Sequence, residues 1–376
     1  MSFDYQEGCN TEITRIFQRK HCVLTGNGTT ALTVAFKMAT PDRPRVLLPA
    51  MACYNVLLAA HFAGKIPVFA DVLSSDATLD PAVVERALKR DPEIGAVLIV
   101  HLYGHAAKVK DIIELCRRHH VIAIEDPAQA MGGFFHSGER LGSLGDLTIV
   151  SFGHTKILDA GGGGALLFDD STKLQTAQNL VNSILTNAQS GQYLEHIYRQ
   201  LYYDIWDAGK KDNRFYTLFD NFPGLFRNLF IFRMEAQYAK DIYEKLPGLD
   251  KSIADRHSIA EIYRSELSGI EKIRLFTPGT GSVPWRFSFL LDEDIRDKVL
   301  IQVRQKGFDI SSWYPCYTDW AESGRNQDSG QFPVAKRLEK EIVNLWVAEG
   351  INSERALATV HELKQAIKSC IGVTNQ

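Results

Sequence analysis

Residues 151–167 read SFGHTKILDAGGGGALL, and the job of Lys156 within them decides how the whole chain is read. A lysine beside glycines suggests a phosphate loop, but there the glycines precede the lysine and a Ser or Thr follows it. Here Lys156 comes first and Ile157 follows, so the lysine needs another role. The stretch begins where one apolar run, LTIVSF (147–152), ends, and it runs into another, GALLF (164–168). Lys156 therefore lies just past a strand, in a loop whose glycines let the backbone turn tightly and approach a neighbour.

Working outward, VFADV (68–72), AVLIVHLYG (96–104) and VIAIED (121–126) are further apolar runs that read as buried strands. Helical patterns lie between some of them. DPAVVERALKR (80–90) starts with an Asp N-cap and Pro81 at the first helical position. AKVKDIIELCRRHH (107–120) places Val109, Ile112, Ile113 and Cys116 on one helical face. This alternation predicts an α/β fold with a mostly parallel central sheet flanked by helices. Helical periodicity then runs from Arg233 to Ser268 with a break at Pro247–Gly248. WRFSFLL (285–291) reads as a strand, and DIRDKVLIQVRQKG (294–307) and NSERALATVHELKQAIKSC (352–370) as helices. The expectation is a large domain over residues 1–245 and a smaller C-terminal α+β domain over 246–376. The aromatic-rich segment 185–232 lacks strand alternation; it reads as helical pieces that either fill core or form a substrate-facing wall.

The formal net charge of −3, with signs interspersed, argues against a nucleic-acid or polybasic membrane surface. Six scattered cysteines with no CxxC pair read as reduced thiols, with neither a disulfide framework nor a metal cluster. The start, MSFDYQEGCNTEI, lacks the basic and apolar regions of a secretory signal. No run approaches the ~20 apolar residues that span a bilayer. A soluble cytoplasmic protein is expected.

In an open α/β sheet, ligands sit at the carboxyl ends of the strands. The segment TGNGTTALTVAFKMA (25–39) is a glycine turn feeding a helix, where the N–H groups of Gly28 and Thr29 would face an anion. A Thr-capped helix start is the plainer reading of the same residues. Asp126 closes the strand VIAIED, where a carboxylate is expensive unless something cationic or protonated meets it. It reads either as a helix N-cap or as the partner of a protonated ring nitrogen, with Gln129 able to reach the same ligand. Ser151 and Lys156 follow the next strand, and a lysine in a partly desolvated pocket suits Schiff-base chemistry. An anion cradle, a ring-nitrogen carboxylate and a Schiff-base lysine are the parts of a pyridoxal phosphate enzyme.

On GNGTTAL (26–32), VHLYG (100–104), IEDPAQAMGG (124–133), LGSLGD (141–146) and SFGHTK followed by GGGGALL, the chain resembles the DegT/StrS family of nucleotide-sugar aminotransferases. RMEAQ (233–237) and WYP (313–315) match more loosely. The resemblance implies a fold type I transferase in which Lys156 binds pyridoxal 5′-phosphate covalently and shuttles protons. It implies that Asp126 pairs with the pyridine nitrogen and Gln129 with the ring hydroxyl, while Gly28, Thr29 and Ser151 hold the phosphate. It also implies a keto-sugar substrate, glutamate as amino donor leaving as 2-oxoglutarate, and a homodimer.

Some positions depart from the family pattern. Cys53 stands where the family usually places an aromatic over the cofactor ring, which makes its neighbour Tyr54 the stacking candidate. Ile157 replaces an Asn, Pro127 an Ala and Met131 a His. Ile231 replaces an Asn that reaches the neighbouring subunit's phosphate, so that contact is in question. His154 is read as structural, and Arg286, Tyr314, Tyr202 and Trp206 are wall residues or structural ones. Lys156 is retained where the family's dehydratase branch has His, which favours transamination. The rival readings are a cyclitol-ketone aminotransferase or another pyridoxal phosphate reaction, and a non-catalytic cofactor-binding sensor or assembly protein. A Rossmann nucleotide module is disfavoured because no GxGxxG follows a strand.

Overall fold

Seven short apolar runs, too brief for buried helices and rich in Val, Ile and Leu, line up in one sheet. A computed structural model describes residues 3–40, 42–184, 200–201, 204–205, 207–218, 227–325 and 331–374. The strands are β1 (His21–Thr25), β2 (Arg45–Pro49), β3 (Ile66–Ala70), β4 (Ile94–Val100), β5 (Ile122–Asp126), β6 (Leu147–Ser151) and β7 (Gly164–Phe168), in the order β1-β7-β6-β5-β4-β2-β3. β6, β5, β4, β2 and β3 run parallel to one another. β7 runs antiparallel to both β1 and β6, so β1 and β6 point the same way. Every residue of β4 and β7 is buried, as strands covered on both faces require.

Helices α1 (Tyr5–Phe17), α2 (Gly28–Met38), α3 (Asn55–Phe62), α4 (Pro81–Arg90), α5 (Val109–His119) and α6 (Leu174–Asn182) flank the sheet. α4 begins as its sequence dictates: the Asp80 carboxylate accepts the Ala82 N–H, and Pro81 occupies the first turn. The strand read in AVLIVHLYG stops at Val100. Leu102–Gly104 is instead a tight turn, with Tyr103 and Gly104 both at positive φ.

The break at Pro247–Gly248 separates helix Ala236–Lys245 from helix Leu249–Leu267. Beyond them β8 (Ile273–Leu275), β9 (Phe287–Leu291), β10 (Ile310–Ser311) and β11 (Ile342–Leu345) form a second, antiparallel sheet in the order β10-β11-β9-β8. It packs with helices Leu249–Leu267, Glu293–Gln305 and Ser353–Thr374 around a core that includes Tyr263, Phe289, Val299 and Leu363. Leu249 belongs to the core of the first sheet and Ile259 to that of the second, so one helix ties the two together. Of the aromatic segment, residues 185–199, 202–203, 206 and 219–226 lie outside the described residues; Asn213–Thr217 is a 3-10 helix. No helix among the described residues is long and apolar enough to cross a membrane.

Candidate active site

The carboxyl ends of β1, β5 and β6 share one edge of the sheet, and the residues singled out above converge there. β6 ends at Ser151, and the chain then leaves the sheet through a loop that returns as β7 at Gly164. The Asp159 carboxylate organises this loop by accepting the N–H groups of Thr155 (2.8 Å) and Gly161 (2.9 Å). Lys156 N–H donates to the Gly153 carbonyl at 3.2 Å. Gly162 is required because a Cβ there would lie 2.4 Å from the Tyr238 ring.

Lys156, Gly28, Thr29, Ser151 and Tyr54 all line a cavity of about 310 Å³, within the size range of small-molecule sites. α2 enters it by its N-terminus. Its cap is Asn27 rather than a Thr: Asn27 Oδ1 accepts the Thr30 N–H at 2.7 Å, and the Asn27 amide anchors to the Phe230 carbonyl at 2.9 Å. The Gly28 and Thr29 N–H groups belong to the first helical turn, which has no intrahelical carbonyl for them, so they are placed to bind an anion. A Cβ at Gly28 would sit 2.7 Å from Ser151 Cβ, so glycine is needed for the turn to come this close to the serine.

Asp126 and Gln129 stand behind the cavity wall, only 6% and 3% exposed. Burial pushes the Asp126 carboxyl up, while the Ala128 N–H bound to Oδ1 and the charge of Lys156 pull it back. Asp126 thus makes the local cap-like bond and also lies within electrostatic reach of the lysine. The same ammonium draws on the Cys53 thiol, which burial pushes up. Gln129 is clamped at both ends: Oε1 accepts the Tyr103 N–H at 2.8 Å, and Nε2 donates to Tyr314 Oη at 3.0 Å. The Tyr314 N–H closes the ring by donating to Tyr103 Oη at 2.9 Å.

Glu125, adjacent to Asp126, was not among the residues expected at the site, and it holds the neighbouring loop. Its carboxylate accepts the N–H groups of Gly142 (2.7 Å), Leu144 (3.0 Å) and Gly145 (2.9 Å) and lies 3.0 Å from His101 Nε2. The Ala107 N–H donates to His101 Nδ1, which places the ring hydrogen on Nε2, toward Glu125. Burial pushes the Glu125 carboxyl up, but the bonds from His101 and the loop N–H groups outweigh it and hold the group below its ordinary value.

Arg286 and Tyr314 do line the cavity; Tyr202 and Trp206 lie outside the described residues. Ile231 is buried between Phe230 and Phe232, which both line the cavity. His154 lines it as well, half exposed, with Nδ1 3.7 Å from Asp159. Trp285, Trp313 and Tyr238 were missed as wall residues. Trp285 stacks on Tyr314 (5.6 Å, 20°) and carries the Arg286 guanidinium on its ring at 5.0 Å. The Asn27 cap was legible from residue preference alone, whereas the Trp285 contacts depend on packing between distant segments. A lysine amine, an anion cradle and a buried carboxylate behind the wall together fit pyridoxal phosphate.

The fold is that of an aminotransferase. The solved structure of DesV from S. venezuelae superimposes with a TM-score of 0.77 at 23% identity, over 97% of this chain and 90% of that one. The chain belongs to the DegT/DnrJ/EryC1/StrS aminotransferase family, whose pattern matches residues 4–364. The erythromycin biosynthesis sensory transduction protein EryC1 of Saccharopolyspora erythraea is 28% identical, over 95% of this chain and 89% of its own. The dTDP-3-amino-3,4,6-trideoxy-alpha-D-glucose transaminase of Streptomyces venezuelae is 26% identical, over 96% and 86%.

Proposed function

We propose that this chain is a pyridoxal phosphate-dependent aminotransferase that converts a nucleotide-linked keto sugar to an amino sugar, with glutamate as the amino donor. The observation that carries the reading is the meeting of Lys156 with the α2 N-terminus and Ser151 on one cavity, backed by the buried Asp126. Pyridoxal phosphate, when bound, supplies an aldehyde carbon and a ring that withdraws electrons from an attached amine carbon. Gly28 and Thr29 N–H groups and Ser151 Oγ would bind the phosphate. Asp126 would hold a proton on the ring nitrogen, the pairing that offsets the burial of its carboxylate. Tyr54 would pack on the ring, and Gln129 would orient the ring hydroxyl from its place in the Tyr103–Tyr314 network. Lys156 Nζ would hold the cofactor and, once displaced by substrate, carry a proton between carbons.

We place the working unit as a homodimer of chains divided into a large domain, 1–245, and a small one, 246–376. Support for the sugar comes from the transaminase named above; support for turnover over a sensor role comes from the retention of Lys156 and Asp126. The test is incubation of the cofactor-loaded protein with glutamate and dTDP- or GDP-linked keto sugars, read by mass spectrometry. A product heavier by the net exchange of the keto oxygen for NH3 (C=O to CH–NH2), with 2-oxoglutarate formed in equal amount, supports the reading. Turnover of inosose alone would transfer it to the cyclitol class, and 2-oxoglutarate formation with no acceptor used would contradict the substrate.

A further inference from the structure

Loop backbone away from the sheet must find partners for its carbonyls, and four carbonyls of the lysine loop find them in one place. Trp285 Nε1 donates to the Thr155 carbonyl at 2.7 Å, and Arg256 Nη2 to the Lys156 carbonyl at 3.4 Å. Ser252 Oγ donates to the Ile157 carbonyl at 3.4 Å, and Lys245 Nζ to the Asp159 carbonyl at 2.6 Å. All four donors come from residues 245–285, on helices Ala236–Lys245 and Leu249–Leu267 and the segment leading into β9. Arg256 is 3% exposed and its other terminal nitrogen, Nη1, donates to the Trp285 carbonyl at 2.9 Å, so it joins the loop to the tryptophan that also holds it. Within this clamp Thr155 has φ 68°, a left-handed conformation that a β-branched residue keeps only when its surroundings enforce it.

We propose that Trp285 and Arg256 are positioning residues for Lys156: by holding the carbonyls of Thr155 and Lys156 they keep the Thr155 turn left-handed and the Lys156 amine in the cavity. Their donor groups bond the loop backbone. The consequence for chemistry rests on the aminotransferase reading, but the placement of the amine does not. The shape of the lysine loop is thereby set by chain that lies about a hundred residues further on.

The test uses Trp285→Phe, which removes the indole donor and part of the ring but keeps an aromatic side chain beside Tyr314, together with Arg256→Met and the milder Arg256→Lys. In the cofactor-free protein, limited acetylation followed by peptide mass spectrometry compares the rate at Lys156 with that at exposed Lys89. Releasing one buried carbonyl should raise this ratio about tenfold in Trp285→Phe and Arg256→Met, with Arg256→Lys between them and the wild type. In the loaded enzyme kcat should fall about 10- to 100-fold with KM nearly unchanged. A ratio equal to wild type in folded Trp285→Phe and Arg256→Lys, whatever their melting temperatures, would overturn the proposal. Wild-type protein that binds no cofactor would sink the aminotransferase reading while leaving the acetylation result to judge the clamp.

Discussion

Replacing Glu125 by Gln tests whether the strand end that carries Asp126 is held as described. The two carboxylate oxygens divide the donors: Oε1 takes His101 Nε2 and the Gly142 N–H, and Oε2 takes the N–H groups of Leu144 and Gly145. An amide has one acceptor oxygen, and its NH₂ would point at two N–H groups that already donate. Whichever way the side chain turns, two bonds to a charged acceptor are lost in a site with no solvent exposure. At about 1.5–3 kcal/mol for each bond to a charged group, the loss is about 3–6 kcal/mol. Against a total of ~5–15 kcal/mol this is a large fraction. Urea unfolding of wild type and Glu125→Gln, followed by circular dichroism, measures it as a shift of midpoint at constant slope. The pH dependence has a defined sign. A carboxyl held below its ordinary value contributes stability above the ordinary carboxylate range and loses it as pH falls through the lowered folded value. The wild type should therefore lose more stability on acidification than the variant does. A loss under about 1 kcal/mol at neutral pH would refute the reasoning, because a single neutral bond is worth that much.

Three further perturbations have expected outcomes. Burial pushes the Glu339 carboxyl up from 4.5 to about 7, so the folded chain binds its proton more tightly than the unfolded one. Stability should fall as pH rises across that interval, and Glu339→Gln, measured by thermal melts from acid to neutral pH, should flatten the fall. Tyr103→Phe leaves the Tyr314 N–H without its acceptor; urea unfolding should show a loss of about 1–3 kcal/mol. Gly28→Ala brings a methyl to 2.7 Å from Ser151 Cβ, and titration with pyridoxal phosphate should show binding weakened at least about tenfold, ~1.4 kcal/mol.

The strands that carry the site were legible because β4, β5, β6 and β7 are near-continuous apolar runs bounded by polar loops. β11 was not, since Asn344 interrupts it. That side chain is fully buried and bonds Ser288 Oγ and the Trp313 N–H, partners that only the folded chain brings together. β10, two residues long, carries no periodic signal at all. At the site, Lys156, Ser151 and Gly28 could be read from their places at or just past strand ends, because chemistry collects there. Glu125 escaped because one residue of register decides which of two neighbouring carboxylates faces the 140s loop. Trp285 escaped because its indole meets a carbonyl 130 residues away.

The most direct test of the central claim is where the cofactor attaches. The purified protein, loaded with pyridoxal phosphate, would be reduced with borohydride and mapped by peptide mass spectrometry, with an untreated sample titrated with glutamate in the visible spectrum. The account predicts a phosphopyridoxyl group on Lys156, none at that position in Lys156→Ala, and a visible band that glutamate bleaches. Label spread over surface lysines, or a band that forms equally in Lys156→Ala, would contradict it.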